Sequence, residues 1–310
     1  MNREQNKIIR ESIITFLFFL ALGIIFWKTK GHPFFLFNFG YIGLAAGLGE
    51  LLFGLLPRKN KTIGRKVSQL LIGFYLLGVL GFLGRENMQL EGFFFYLLAG
   101  IFSGPVIHYL IAKTAGTFLF GRGWCGWACW TAMVIDFLPW SKPANGRIKK
   151  AGILRYIHLF FSFILVMTIW FVFKKRNFHQ QTQVELQWLV IGNLFYFIIA
   201  IFLAVLLRDN RAFCKYICPI PPLMKIGARF SIWKIMIEKE KCTECGLCEA
   251  HCPMNIRLLD YMKKNQRVQS TECIACQQCV NICPAAAVLY SKGLDIGTRE
   301  YLTFQGPSNN

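Results

Sequence analysis

Cys242-Thr-Glu-Cys245-Gly-Leu-Cys248-Glu-Ala-His-Cys252-Pro253 and Cys273-Ile-Ala-Cys276-Gln-Gln-Cys279-Val-Asn-Ile-Cys283-Pro284 are two copies of one pattern, Cys-x2-Cys-x2-Cys-x3-Cys-Pro. In such a run the first three cysteines wrap one corner of a cuboidal [4Fe–4S] cluster, and the fourth ligates the cluster of the other run. The spacing therefore assigns Cys242, Cys245, Cys248 and Cys283 to one cluster and Cys273, Cys276, Cys279 and Cys252 to a second. Structural zinc or disulfides do not call for four cysteines closed by proline twice in one domain. His251, between ligands, is expected to donate a hydrogen bond to sulfur rather than to ligate. Residues 232–290 then form a small α+β ferredoxin-like domain of the bacterial 2[4Fe–4S] kind.

The rest of the chain is of another class. Of 310 residues, 55% are hydrophobic and thirty are Phe, with a mean hydropathy of +0.42, too apolar for a soluble protein of this size. Six apolar stretches are long enough to approach or cross a hydrocarbon core: about Ile13 to Trp27, Phe34 to Leu56, Val67 to Leu83, Gly92 to Ala112, Ile153 to Phe173 and Trp188 to Leu207. The first follows a basic start (Arg3, Lys7, Arg10) without a small-residue cleavage site, and reads as a retained signal-anchor rather than a cleaved leader. The fold class is thus an α-helical polytopic bundle in residues 1–207 joined to the ferredoxin domain by a connector, 208–231, with a polar and loose tail, 291–310.

Lys and Arg of short loops favour the cytoplasmic face. With the N-terminus inside, Arg58, Lys59, Lys61, Arg65 and Lys66, then Arg122, Lys142, Arg147, Lys149 and Lys150, fall on the inner side, while Lys174, Lys175 and Arg176 form a dissenting outer cluster. Six spans return the chain to the cytoplasm, a reducing compartment that keeps thiols free. The formal net charge of +19 then reflects topology and contact with membrane lipid. No basic, aromatic-interleaved groove points to nucleic acid, and Gly121-Arg122-Gly123 lacks the strand and helix of a dinucleotide fingerprint.

The remaining four of the twelve cysteines also repeat. Arg122-Gly-Trp124-Cys125-Gly-Trp127-Ala-Cys129 and Arg211-Ala-Phe213-Cys214-Lys-Tyr216-Ile-Cys218 share Arg-x-aromatic-Cys-x-aromatic-x-Cys. Cysteines at i and i+4 occupy one face of a helical turn, so two such turns can present four thiolates to a third iron–sulfur cluster, zinc or Cu(I). Packing as four small hydrophobes explains neither the doubled spacing nor the flanking residues. The first copy lies in an interfacial segment, 122–140, too short to span.

At these residues the chain resembles the membrane polyferredoxins of the NapH, MauN and NosR C-terminal type, a group that also resembles the assembly protein CcoG. The likeness covers roughly residues 90–290. Cys214, Cys218 and Pro219 keep the Cys-x3-Cys-Pro motif of that family, whereas Trp130 stands where the first copy would have proline. The resemblance implies electron transfer between the quinone pool and a partner reductase, dehydrogenase or other redox subunit; the CcoG likeness implies instead metal-cofactor assembly or Cu(II) reduction, with Met133 and Met224 near the cysteines. A flavin domain of the NosR kind has no room here, so neither flavin nor nucleotide is expected. Ionisable groups within spans mark candidate sites: Glu50, His108 and His158, near the cytoplasmic ends of their spans, are the candidates for quinone and proton handling, with a b-type haem on the two histidines as the less favoured reading.

Overall fold

The computed structural model describes residues 3–174, 182–297 and 299–306. Lys175 and Arg176 of the expected outer cluster and the last residues of the tail lie outside them. Helix α1 (Arg3–Lys30) turns at Gly31 into α2 (Phe34–Leu55). Small residues let the two helices pack closely: a Cβ on Gly43 would lie 2.7 Å from that of Phe19, and one on Gly47 2.9 Å from the Ser12 carbonyl oxygen, which is the packing rule of helices in lipid. Helix α3 (Lys61–Phe74) continues as a π-helical stretch to Leu83. Among the described residues, five helices are long and apolar enough to cross a membrane: Gln5–Lys30, Phe34–Leu55, Lys61–Leu83, Ala151–Val172 and Gln183–Leu207. They contain α9 (Leu154–Met167) and α10 (Thr182–Leu207).

The fourth expected span, Gly92 to Ala112, is not one helix. It divides into α4 (Leu90–Leu98), a turn with Gly100 in the left-handed region, and α5 (Gly104–His108), which runs through a π-helical stretch, Tyr109–Ala115, into α6 (Gly116–Phe120). Polar contacts give its path. The Asn87 N–H reaches the Glu185 carboxylate at the start of α10 (3.3 Å), the Gln89 side chain lies against Gly192 two turns further along, Glu91 accepts from Ser162 in mid-α9 (2.6 Å), and Tyr96 returns to donate to Glu185 (2.6 Å). Residues 84–98 thus dip about 10 Å into the bundle at a rise of ~1.5 Å per residue of α10, and α4 climbs back out. The chain then continues along α5–α6. Hydropathy averages over Gly100 and Ser103-Gly104-Pro105 and so reads one span.

One face of the membrane domain meets the ferredoxin. Ile8 of α1 packs at Gly54 near the end of α2, and Arg58 just beyond donates to the Cys283 carbonyl oxygen (3.4 Å). The N-terminus and the iron–sulfur domain therefore share one face of the bundle. In that domain β1 (Trp233–Ile237) pairs antiparallel with β2 (Val288–Lys292), Ile235 opposite Tyr290, and α13 (Leu247–Ala250), α14 (Leu258–Lys263) and α15 (Gln278–Ile282) close its core around Ile235, Met254, Tyr261 and Ile274.

The tail is polar as expected, but its described part is not loose. Thr303 and Gln305 bracket Arg147 by backbone hydrogen bonds (2.8 and 2.9 Å), Tyr301 accepts from Arg257 N–H (2.9 Å), and the Glu300 carboxylate accepts from the Thr271 N–H (2.8 Å). Asp295 pairs with Lys234 and Arg267. Its acids and backbone strap the ferredoxin to the loop after the first membrane motif.

Candidate iron–sulfur centre

The two ferredoxin runs adopt the same backbone. Positive φ recurs at the residue before the second cysteine (Glu244, Ala275), at the residue after it (Gly246, Gln277) and three residues past the fourth (Asn255, Ala286). Only one of these six is glycine, so the loop shape is imposed by the domain rather than by local preference. A cavity of about 300 Å³ is lined by Cys242, Cys245, Cys248 and Cys283. Cys252 lies instead beside Cys276 and Cys273, with Cys279 in the same group. Backbone N–H groups of Met254 and Ile256 donate to Cys252, and that of Ala275 to Cys273. His251 does not take up the expected bond to sulfur: its Nδ1 meets the Leu247 carbonyl oxygen one turn back (3.0 Å).

The membrane motifs also repeat in structure. Arg122 caps α7 (Gly123–Trp127) and Arg211 caps α11 (Ala212–Tyr216). Each short helix carries the first cysteine and ends before the second, so the i, i+4 pair is not on a single continuous turn. Cys129 is extended and begins α8 (Trp130–Ile135) without proline; Trp130 is held there by its Nε1, which donates to Asn193 (3.0 Å). Pro219 caps α12 (Ile220–Arg229). The four thiols come together: Cys214 has Cys129 and Cys125 as neighbours, and Cys218 has Cys214, Cys129 and Cys125. Burial pushes the Cys214 thiol up to about 11 against the pull of Arg211, so the thiolate form needs a cationic centre to hold it. Met224 touches Cys125, Sδ to Sγ 3.5 Å, whereas Met133 packs at Gly73. Among the described residues, no three His, Cys, Asp or Glu side chains close around a single metal ion, and this holds for the ferredoxin cysteines as it does for the quartet.

The first membrane motif sits on the second ferredoxin loop. A Cβ on Gly126 would lie 2.2 Å from the Ile274 carbonyl oxygen, and Trp127 Nε1 donates to the Ala275 carbonyl (2.9 Å). Cys125 belongs to the same buried core as Cys248, Cys279 and Cys283. The carbonyls of this turn are fixed from below by Arg65 to Gly126 (2.8 Å) and Arg211 to Cys125 (3.0 Å).

Buried charge surrounds the centre. Glu272, next to Cys273 and 1% exposed, receives Arg122 (2.8 Å), Arg147 (3.0 Å), Arg155 (2.9 Å) and Lys225 (2.6 Å). Burial alone would push its carboxyl up; the four cations instead hold it well below the usual carboxylate range. Asp136 likewise receives Arg65 and Arg211, each at 2.6 Å. Cations outnumber carboxylates in both groups, and the Arg122 guanidinium also faces the thiols of Cys125, to which it hydrogen-bonds, and Cys214. Uncompensated buried cations are costly, and anionic, thiolate-ligated clusters would supply the missing negative charge. The donor set fits such groups. The motif reading singled out Arg122 and Arg211 but not their acids; the signal for Glu272 was the single carboxylate in or beside the second cysteine run, in a chain with 35 Lys and Arg against 16 Asp and Glu.

The three quinone candidates are not brought together. Glu50 accepts from Thr15 (2.7 Å). His158 meets the Ile217 carbonyl (2.9 Å) and the Tyr196 hydroxyl (3.3 Å), so both ring nitrogens are engaged, which disfavours it as a haem ligand. His108 lies among Tyr109, Trp124 and Trp130, with Nε2 unpartnered.

Comparison with known proteins agrees with this geometry. A 4Fe-4S dicluster domain model matches residues 234–284, and a 4Fe-4S binding domain model matches residues 109–147 and 191–236, the two stretches that carry the membrane motifs. The ferredoxin-type protein MauN of Methylobacillus flagellatus is 31% identical over 51% of this chain and 60% of its own length, and the ferredoxin-type protein NapH of Escherichia coli 25% identical over 58% and 64%. The chain is similar to the ferredoxin-type proteins NapH and MauN and has the 4Fe-4S domains of a polyferredoxin. It is also 26% identical to an uncharacterized protein of Methanocaldococcus jannaschii over 73% of this chain and 86% of that one. No solved structure matches. The polyferredoxin is a multi-pass membrane protein that carries iron–sulfur clusters and transfers electrons.

Proposed function

We propose that this polyferredoxin links the quinone pool of the cytoplasmic membrane to a partner reductase or dehydrogenase, with its N-terminus and ferredoxin domain on the cytoplasmic side. The observation that carries the reading is the seat of the Cys125–Gly126 turn on the Ile274–Cys276 loop, which joins the membrane quartet to the ferredoxin core without intervening solvent. Cys242, Cys245, Cys248 and Cys283 hold one cluster, Cys273, Cys276, Cys279 and Cys252 a second, and Cys125, Cys129, Cys214 and Cys218 a third. Such clusters accept and release single electrons over a range of potentials set by charge and hydrogen bonding. The chain's part is to bury and orient them: Arg122 and Arg211 place positive charge at the quartet, backbone amides donate to Cys252 and Cys273, and Cys245, exposed at the far end, gives the side from which a partner draws or supplies electrons.

Metal analysis of anaerobically purified protein tests the assignment. Three clusters predict about twelve iron per chain, and Cys214→Ser is expected to lower this to about eight with the ferredoxin signals intact. An unchanged iron content in Cys214→Ser would return the quartet to a packing role. Cys276→Ala is expected to lose a cluster and unfold the small domain, whose core is too small to stand without it. The contact of Met224 with Cys125 favours a second reading, a soft-metal site of Cu(I) type in an assembly factor or Cu(II) reductase; about eight iron with bound copper in the wild-type protein would select it.

A further inference from the structure

Both membrane motifs reach into the ferredoxin, each at a different run. The first meets the loop between Cys273 and Cys276, where Trp127 Nε1 donates to the Ala275 carbonyl oxygen (2.9 Å). The second meets the other run: Lys215, the residue after Cys214 on α11, sends its ammonium to Asp209 (2.6 Å) and to the Asn255 side chain. Asn255 stands three residues past Cys252; its N–H donates to the Cys252 carbonyl oxygen (3.0 Å), and its side-chain amide is fixed by donation to the Asn145 carbonyl (3.0 Å). Successive residues of a helix diverge by about 100°, so α11 holds Cys214 among the quartet while Lys215 faces Cys252. Cys252 is the ligand that crosses from one run to the cluster of the other. Two contacts at different runs therefore arrive at one centre.

The charges around the two ferredoxin centres differ. Lys215 is 0% exposed; burial works against its positive charge, and the Asp209 carboxylate works for it. Arg122, also buried, faces Cys273 of the same group, and the Glu272 carboxylate beside that cysteine is outnumbered by its four cations. At the other centre the charge beside Cys248 is the Glu249 carboxylate, which accepts from the Leu259 N–H (2.7 Å). Arg58 reaches the Cys283 carbonyl there (3.4 Å), but from an exposed residue, where salt and water screen its charge. We infer that Lys215 makes the cluster of Cys252, Cys273, Cys276 and Cys279 the higher-potential ferredoxin centre and the one that exchanges electrons with the membrane domain, leaving the cluster at exposed Cys245 to the partner. The inference rests on the ligand assignment proposed above. Reduction adds one electron and forms no bond, so a cation fixed in a dry interior favours it and a carboxylate opposes it.

Potentiometric titration of the full-length, cluster-loaded protein, followed by electron paramagnetic resonance, reads both ferredoxin midpoints. Cys276→Ser, which keeps a ligating atom, marks the signal of the membrane-side cluster, and in the wild-type protein that signal is expected to titrate at the higher potential. Lys215→Met is expected to lower its midpoint by about 59 mV, a tenfold shift in a one-electron equilibrium. Asp209→Asn, which keeps an oxygen for the Arg211 N–H, is expected to raise the same midpoint, and Glu249→Gln to raise only the other. A packing role does not reverse sign between Lys215→Met and Asp209→Asn; should Lys215→Met lose its clusters, the sign of the Asp209→Asn shift decides. If Cys276→Ser alters one signal and neither Lys215→Met nor Asp209→Asn moves its midpoint, the inference falls and the ligand assignment stands. If Cys276→Ser alters neither signal, both fall.

Discussion

Glu272→Gln is expected to be the most damaging single-atom change in the protein, because it leaves Arg122, Arg147, Arg155 and Lys225 around a neutral amide with Arg122 fully buried. Removing one partner of a buried ion pair costs about 3–5 kcal/mol. Here one carboxylate serves four cations drawn from the first membrane motif, the loop after it, the start of α9 and α12, so the loss falls on the junction of the two domains. The expected result is a thermal transition of the ferredoxin domain, followed by bleaching of cluster absorbance, that shifts to lower temperature than in Lys225→Met, which removes the most exposed of the four partners. A Glu272→Gln protein that bleaches with the wild-type midpoint would show that the cations find water instead, and would refute the hub.

Gly126→Val is expected to separate the domains without removing a ligand. Its Cβ would fall 2.2 Å from the Ile274 carbonyl oxygen, and this neighbour is backbone of a ligand loop, not a side chain able to rotate. Overpacking typically costs about 1–3 kcal/mol, and relief requires the 273–276 loop to lift from the membrane motif. Iron content should stay at the wild-type value while hydrogen exchange across 273–279 rises and reduction of the ferredoxin clusters through the membrane side slows. Wild-type exchange and wild-type reduction rate together would mean the contact plays no part in electron transfer. The same substitution at Gly246, whose added Cβ meets nothing, tests φ alone, since that glycine is left-handed.

Much of this architecture was legible because cysteine spacing is a strong local signal. The two ferredoxin runs announced a repeated loop, and the structure repeats it down to the left-handed residues at Glu244 and Ala275, although nothing in those side chains asks for that conformation. Hydropathy located the five long helices. It misread Gly92–Ala112, which breaks at Gly100, and it could not see that Asn87 and Glu91 just before it are satisfied by α10 and α9 far along the chain. The expectation of a loose tail failed for the same reason: polarity described Glu300 and Asp295 correctly but not that Thr271, Lys234 and Arg267 wait for them. The quartet was legible as four cysteines, and its cationic setting only half so, since the arginines sit inside the motif and the acids do not.

The dip between α3 and α4 has a consequence for biogenesis. When residues 84–98 leave the ribosome, the groups that satisfy Asn87, Glu91 and Tyr96, namely Glu185 and Ser162, have yet to be synthesised. Unpartnered amides and carboxylates are not stable in hydrocarbon, so this segment must rest at the surface until α9 and α10 have been inserted. The helix order in the mature bundle is therefore not the order of its assembly, and a chain truncated after α6 would lack the partners that seat its own middle.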